Sequence, residues 1–155
     1  MRLTVAAVNA AEWVRREREV RAVLGCGIDA LDIRIQSLRR GPSADEMRLA
    51  NWARAAGVEV YAHSWVGSRG PSGSSNATAQ DGAQQGLYAV ASVAAMGASR
   101  FAVNAERDVW RGDEYAPGKF EAHGGAVDFL DSFADVFHNN ARQAHLDYVL
   151  SLIHI

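Results

Sequence analysis

Five short runs of apolar and β-branched residues alternate with four helical patterns along the chain. The apolar runs cover residues 3–8, 30–36, 58–66, 100–106 and 145–149, and the helical patterns cover 11–24, 43–57, 79–96 and 125–141. Ser43 and Glu46 have the spacing of a capping box, and Gly57 and Gly97 stand where helical patterns stop. Because strand and helix alternate, the sequence predicts an α/β fold with a parallel sheet covered by helices.

The predicted strands are apolar on one face and polar on the other. The apolar set is Leu31, Ile33, Ile35, Val58, Val60, Ala62, Phe101, Val103 and Ala105, and the opposite set is Asp32, Arg34, Gln36, Glu59, Tyr61, His63, Trp65, Ala102, Asn104 and Glu106. Strands covered by helices on both faces of an open sheet usually read as continuous apolar runs instead. We therefore expect the polar side chains to face one shared interior, as in a partial (β/α)8 TIM barrel. An open five-stranded α/β domain is the alternative.

The barrel interpretation fixes the expected domain organisation. A complete barrel takes about 250 residues, so residues 1–149 correspond to its N-terminal half, with about four βα units plus the start of strand five. Residues 150–155 end in Ser-Leu-Ile-His-Ile, which matches the in-frame translation of a sequencing-library adapter. We therefore expect a non-native tail and a chain that is an N-terminal fragment. A genuine C-terminal strand is the alternative, because Leu-Ile-His-Ile also suits a strand.

Composition excludes several classes of protein. The 155 residues carry a net charge of −2 without a Lys/Arg cluster, which argues against a nucleic-acid partner. No apolar run approaches the about 20 residues of a membrane helix, and the N-terminus lacks signal-peptide features. The sequence gives no indication of the compartment or of the oligomeric state. The single Cys26 excludes an internal disulfide. The turn after Asn9 lacks a Gly-x-Gly-x-x-Gly motif and the chain has no P-loop, so we expect no nucleotide cofactor.

Asn104 and Glu106 are the residues that most strongly indicate catalysis. Their spacing of two places both side chains on one face of the fourth predicted strand, at its C-terminal end, where barrel enzymes carry catalytic groups. An enclosed glutamate has its acid form favoured, as a general acid needs, and Asn104 can orient that carboxyl group or a substrate amide. The alternative is a structural ion pair between Glu106 and Arg34 or Arg107.

The run Asn104-Ala105-Glu106 resembles the Asn-x-Glu or Asp-x-Glu motif that ends strand four of TIM-barrel glycoside hydrolases, among them chitinase-like enzymes, muramidases and endo-N-acetylglucosaminidases. The surrounding residues are also similar to glycosidase-like barrels of bacteria and their phages. The resemblance implies that Glu106 is the general acid and that Asn104 holds the substrate's N-acetyl group. The chain departs from the muramidases at Asn9, where they carry Asp, and from the chitinase motif at residues 101–103, where that motif has further Asp residues.

The resemblance implies a glycoside hydrolase-like protein that acts on a polysaccharide or N-acetylated glycan. Any second catalytic carboxylate would lie on strands beyond residue 149, so the truncated chain is expected to be inactive. A non-catalytic TIM barrel that binds carbohydrate, or that belongs to a phage or another assembly, is the alternative function. In that alternative, Glu106 closes a polar network with Arg34.

Candidate substrate-binding residues lie on the same polar face. They are Tyr61, His63 and Trp65 in the third predicted strand, Asp32, Arg34 and Gln36 in the second, and Trp110 in the loop after the fourth. Aromatic rings at a barrel mouth suit the apolar C–H faces of sugars. Core packing is the alternative for Tyr61 and Trp65, and a hydrogen-bonded core histidine is the alternative for His63.

A metal-dependent hydrolase is a third possibility. Asp32, His63 and Glu106 are of the types that bind metal ions and would have to converge from three neighbouring strands. The sequence has no His-x-His or His-Glu-x-x-His spacing to support such a site. The leading expectation is therefore a site without metal.

Overall fold

The computed structural model describes residues 2–38, 40–66, 79–105, 110–111, 121–122, 124–143 and 147–150. Its first half contains β1 (Thr4–Asn9), α1 (Ala10–Trp13), a 3-10 turn (Val14–Arg16), α2 (Glu17–Leu24), β2 (Ala30–Arg34), α3 (Ala44–Ala55) and β3 (Glu59–Val66). Its second half contains α4 (Ala79–Met96), β4 (Arg100–Ala105), β5 (Trp110–Arg111), β6 (Glu121–Ala122), α5 (Gly124–Gln143) and β7 (Asp147–Leu150). The predicted alternation of strands and helices is confirmed.

Two elements differ from the sequence prediction. The helical pattern over residues 11–24 is interrupted by the 3-10 turn, because Arg16 leaves the helical region at φ −116° and ψ 50°. Two short strands, β5 and β6, pair antiparallel within the stretch predicted as a loop. The last strand of the main sheet continues through Leu150, which pairs with Val103, and residues 151–155 lie outside the described residues.

The main sheet has five strands in the order β1-β2-β3-β4-β7, and every neighbouring pair is parallel. Among the strands of the main sheet, each therefore lies beside the main-sheet strand that precedes it in the chain. A doubly wound sheet would instead reverse its order at a switch point. Since βαβ crossovers are right-handed almost without exception, a sequential order brings the connecting helices to one face of the sheet. Consistent with this, α3 contacts α4, and α4 contacts α5.

The core lies between the sheet and these helices. The fully buried residues from the sheet include Leu31, Ile33, Val60, Phe101 and Val103, and those from the helices include Leu49, Val93, Met96, Phe133 and Phe137. This confirms that the apolar face of the predicted strands packs against the helices. The Phe101 and Phe137 rings stack with centroids 5.1 Å apart, which joins β4 to α5.

Helix ends follow the signals in the sequence. Ser43 and Glu46 form the predicted capping box at the start of α3. Gly57 and Gly97 adopt φ values of 75° and 64° after α3 and α4, a backbone region that favours glycine. None of the helices in the described part of the chain is long and apolar enough to cross a membrane.

Candidate functional site

The polar face of the sheet is ordered as the strand pattern predicts. In β2 and the residues after it, Ile33 and Ile35 are buried, whereas Arg34 and Gln36 are exposed and Asp32 is half-buried. The alternation arises because successive side chains of a strand point to opposite faces. The candidate site is therefore formed by side chains of β2, β3 and β4 that lie on this polar face.

Asp32 and His63 are joined directly across the β2–β3 pair. Nδ1 of His63 lies 2.9 Å from Oδ1 of Asp32, and their side chains are 10% and 22% exposed, respectively. In the register of the two strands His63 lies opposite Arg34, so Asp32 reaches the imidazole diagonally. A carboxylate only accepts hydrogen bonds, so we assign the ring proton to Nδ1. The neutral imidazole then carries its lone pair on Nε2, where it can accept a proton.

The backbone around His63 is fixed to the end of β2. The Ile35 amide donates to the His63 carbonyl at 2.8 Å, and the buried Ser64 hydroxyl donates to the Ile35 carbonyl at 2.8 Å. These two bonds continue the β2–β3 pairing beyond Arg34, the last residue of β2. The backbone that carries the imidazole is therefore hydrogen-bonded to the end of β2 at His63 and at the next residue, Ser64.

A second network ties together the carboxyl ends of β1 and β2. Oδ1 of Asn9 accepts from the Ala11 amide at 3.1 Å, which caps α1, and from Nε2 of Gln36 at 3.0 Å. The backbone N–H of Gln36 donates to one oxygen of the buried Glu46 carboxylate at 2.9 Å. The other oxygen of this carboxylate accepts from the backbone N–H of Ser43 at 2.7 Å. The network orders the chain between β2 and α3.

Asn9 and Glu46 were not among the predicted site residues. Asn9 stands directly between a predicted strand and a helical pattern, which is the position of an N-cap, so its capping role had a local signal in the sequence. Its bond to Gln36 had none, because that bond depends on the pairing of β1 with β2.

Tyr61 makes its described contacts with two arginines. Its hydroxyl accepts from Arg2 at 3.2 Å, and the Arg100 guanidinium lies 5.0 Å from the centre of its ring. Arg2 also forms an ion pair with Glu59 at 3.4 Å. The hydrogen bond to Tyr61, followed by the charge of Glu59, raises the pKa of Arg2 above its usual value. These contacts link the start of the chain to β3, and Arg100 lies opposite Tyr61 on β4.

The predicted catalytic pair is only partly covered by the structure. Trp65 lies opposite Asn104 in the β3–β4 register, near the carboxyl ends of both strands. The Trp65 and Asn104 side chains and all of Glu106 lie outside what the structure describes. For Trp110 the structure describes only the backbone, which pairs with that of Ala122 in the β5–β6 ribbon.

The metal hypothesis is tested only in part. The part of the chain with described placement holds no group of three His, Cys, Asp or Glu side chains that could bind an ion. Asp32 and His63 do meet, as that hypothesis requires, but Glu106 is not among the described residues. The expectation of a site without metal stays a prediction.

The comparisons with known proteins identify no relative. No family model matches the chain, and no curated protein matches it. The resemblance to barrel glycoside hydrolases therefore stays a prediction.

Proposed function

We propose that this chain forms the first five strands of a (β/α)8 barrel of the glycoside hydrolase type, which hydrolyses a polysaccharide or N-acetylated glycan by general acid catalysis. The sequential strand order carries the proposal. In a barrel each strand adds to the edge left by the one before, and all helices collect outside. The opposite face of the sheet, with Asp32 and His63, would then line the barrel interior.

The β3–β4 register supports the position of the catalytic group. Trp65 and Asn104 are neighbours at the carboxyl ends of their strands, and Glu106 follows two residues later in the sequence. Barrel enzymes carry their active sites at this end. In the proposed reaction Glu106 protonates the glycosidic oxygen while the bond between that oxygen and the sugar carbon breaks. Asn104 holds the N-acetyl group of the same sugar.

The described polar side chains suit a ligand rich in hydroxyl groups. Asp32 and the assigned lone pair of His63 are acceptors, whereas the exposed Arg34 guanidinium is a donor. Sugar hydroxyl groups donate and accept at once, so a site with both kinds of partner recognises them better than a purely acidic or basic one. This mixture favours a neutral glycan over a charged ligand.

The test is made on the complete barrel proposed above, of which this chain forms the first five strands, and compares it with its Glu106→Gln variant on oligosaccharides of N-acetylglucosamine. We expect wild type to release new reducing ends and the variant to lose at least about 100-fold in rate, as when a general acid is removed. Glu19→Gln, which makes the same change at an exposed position of α2, should leave the rate unchanged.

Calorimetric binding measurements with the same oligosaccharides separate the two candidate functions. Cleavage by wild type, together with binding but no cleavage by the Glu106→Gln variant, would support the enzyme. Equal binding to both proteins, with no cleavage by either, would instead indicate the non-catalytic carbohydrate-binding barrel. If wild type neither binds nor cleaves these glycans, the proposed function is wrong.

A further inference from the structure

The Asp32–His63 pair has no role in the general-acid step assigned to Glu106. Hydrolysis by direct attack of water, the inverting reaction, needs a second group, because the water must lose a proton while the leaving oxygen gains one. Asp32 is half-buried on β2, and His63 is buried on β3, the neighbour of the strand that leads to Glu106. The five strands therefore already contain a candidate for this second group.

We propose that His63 is the general base of the site and that Asp32 is the positioning residue that fixes its tautomer; the inference rests on the proposed glycan hydrolysis. Nε2 of His63 takes a proton from water while the water oxygen forms a bond to the anomeric carbon. The glycosidic bond breaks, and its electron pair stays on the leaving oxygen, which receives the proton of Glu106. One water is consumed, and the proton on His63 returns to Glu106 through solvent.

The tautomer is the first support for this role. With the Asp32 carboxylate 2.9 Å from Nδ1, the proton of the neutral ring resides on Nδ1 and the basic lone pair on Nε2. A base has to present a lone pair to the water, and a freely flipping or reversed imidazole would present it only part of the time. Asp32 thus prepares the ring before any substrate arrives.

The surroundings of His63 are the second support. Its backbone is held by the Ile35 amide at 2.8 Å, and the Ser64 hydroxyl binds the same stretch of β2. On the β4 side, His63 lies opposite Ala102, which contributes only a methyl group. The backbone that carries the imidazole is thus hydrogen-bonded to β2, and on β4, the strand that leads to Glu106, a residue with a small side chain lies opposite His63.

A purely structural role makes a different prediction about stability. Replacing a buried polar or ionic pair by apolar residues is often neutral or stabilising, whereas removing one partner alone is costly. Residues retained for chemistry commonly lower stability. If the pair serves catalysis, Asp32→Val combined with His63→Leu should keep the urea midpoint of unfolding at or above that of wild type. A clear fall in the midpoint of this double variant would show that the pair holds the fold together, and would overturn the proposal.

Nitrogen-15 NMR reads the tautomer directly in the intact chain. The His63→Gln spectrum identifies the His63 signals among the five histidines. We expect wild type to show the Nδ1–H form and Asp32→Asn to populate the Nε2–H form. Ser64→Ala, which removes the neighbouring bond without touching the pair, should retain the Nδ1–H form. A wild-type Nε2–H form, or an Asp32→Asn spectrum like that of wild type, would overturn the proposal.

Kinetics separate failure of this inference from failure of the proposed function. If wild type cleaves oligosaccharides of N-acetylglucosamine, His63→Gln should lower kcat by about 10²- to 10⁴-fold with a smaller change in KM. A kcat within about twofold of wild type would exclude His63 as the base while leaving hydrolysis by Glu106 intact. If wild type shows no cleavage although the NMR and stability results are as expected, the proposed glycan hydrolysis is wrong. The NMR result would still show that Asp32 fixes the tautomer of His63.

Discussion

Asn9, at the end of β1, uses its side-chain oxygen for two hydrogen bonds. Oδ1 accepts from the Ala11 amide and from Gln36, so it caps a helix and joins two strands. An aspartate would keep both acceptors, and Asn and Asp are equivalent N-caps. We expect Asn9→Asp to change the free energy of unfolding by no more than about 0.5 kcal/mol.

The control for this change is Asn9→Ala, measured by urea unfolding beside it. Alanine removes the cap and the partner of Gln36, so it should cost about 1–2 kcal/mol. A cost of that size for Asn9→Asp would contradict the structural role that the hydrogen bonds give to Asn9.

Ser92 is a buried hydroxyl in α4 with no accessible surface. Its oxygen has no hydrogen-bond partner among the residues with described placement. Burying such a group costs free energy, and alanine also forms helix better than serine. We expect Ser92→Ala to raise the free energy of unfolding by about 1 kcal/mol.

Ser64→Ala is the matched control, because Ser64 is equally buried but donates to the Ile35 carbonyl at 2.8 Å. It should lower the free energy of unfolding by about 1 kcal/mol in the same urea experiment. If both variants lower the free energy of unfolding equally, the Ser92 hydroxyl has a hydrogen-bond partner outside the described residues.

The residues of the polar face were predictable, but their bonds were not. The two-residue period of a strand identifies Asp32, Arg34 and His63 as neighbours on one face from sequence alone. The hydrogen bond between Asp32 and His63 depends on how β2 and β3 are aligned, and here His63 aligns with Arg34. Nothing local in either strand specifies that alignment, so the pair emerges only from the structure.

At the scale of the elements, α4 and α5 approach each other closely at Gly86. A Cβ atom built there would lie 2.9 Å from the Phe133 carbonyl oxygen and 3.3 Å from Cβ of Val136. Alanine improves an ordinary helix position by about 1 kcal/mol, but here it must push the two helices apart. We expect Gly86→Ala to lower the free energy of unfolding by about 1–3 kcal/mol.

Gly41→Ala provides the same substitution in open space, since a Cβ at Gly41 meets no atom within 4 Å. It should be neutral or slightly stabilising in urea unfolding, because alanine restricts the unfolded chain. A gain in stability at Gly86 like that at Gly41 would mean that α4 and α5 pack less tightly than the structure shows.

Element bounds were predicted well where the signal is local. Ser43, Glu46 and Gly57 mark the ends of α3 by side-chain caps and by a positive φ, and these depend on only a few neighbouring residues. The β5–β6 ribbon was missed because two strands of two residues are too short to show any alternation. The turn at Arg16 has no comparable glycine or proline signal in the sequence.

At the scale of the whole molecule, β1 and β7 are the edge strands of the main sheet in the described part of the chain. Within the described ranges, β1 and β7 each pair with a single neighbour. Unpaired strand edges bind other edges, and charged side chains on an edge strand discourage this. We expect the isolated chain to self-associate as its concentration rises, and Ala6→Lys, at an exposed position of β1, to reduce that association.

Sedimentation velocity over a concentration series measures this effect. Ala22→Lys, which adds the same charge at an exposed position of α2, should associate like wild type. Equal suppression by both variants would indicate that net charge, rather than the β1 edge, controls association.

The sequential order of the main sheet also bears on how the protein folds during its synthesis. Each strand of the main sheet after β1 pairs with a main-sheet strand made before it, and the chain between the two forms helices, together with the β5–β6 ribbon between β4 and β7. Pairing with the preceding main-sheet strand closes a shorter loop than pairing with any earlier strand would, at a lower cost in chain entropy. The nascent chain can therefore build its sheet one strand at a time, from β1 outward, without waiting for a distant partner.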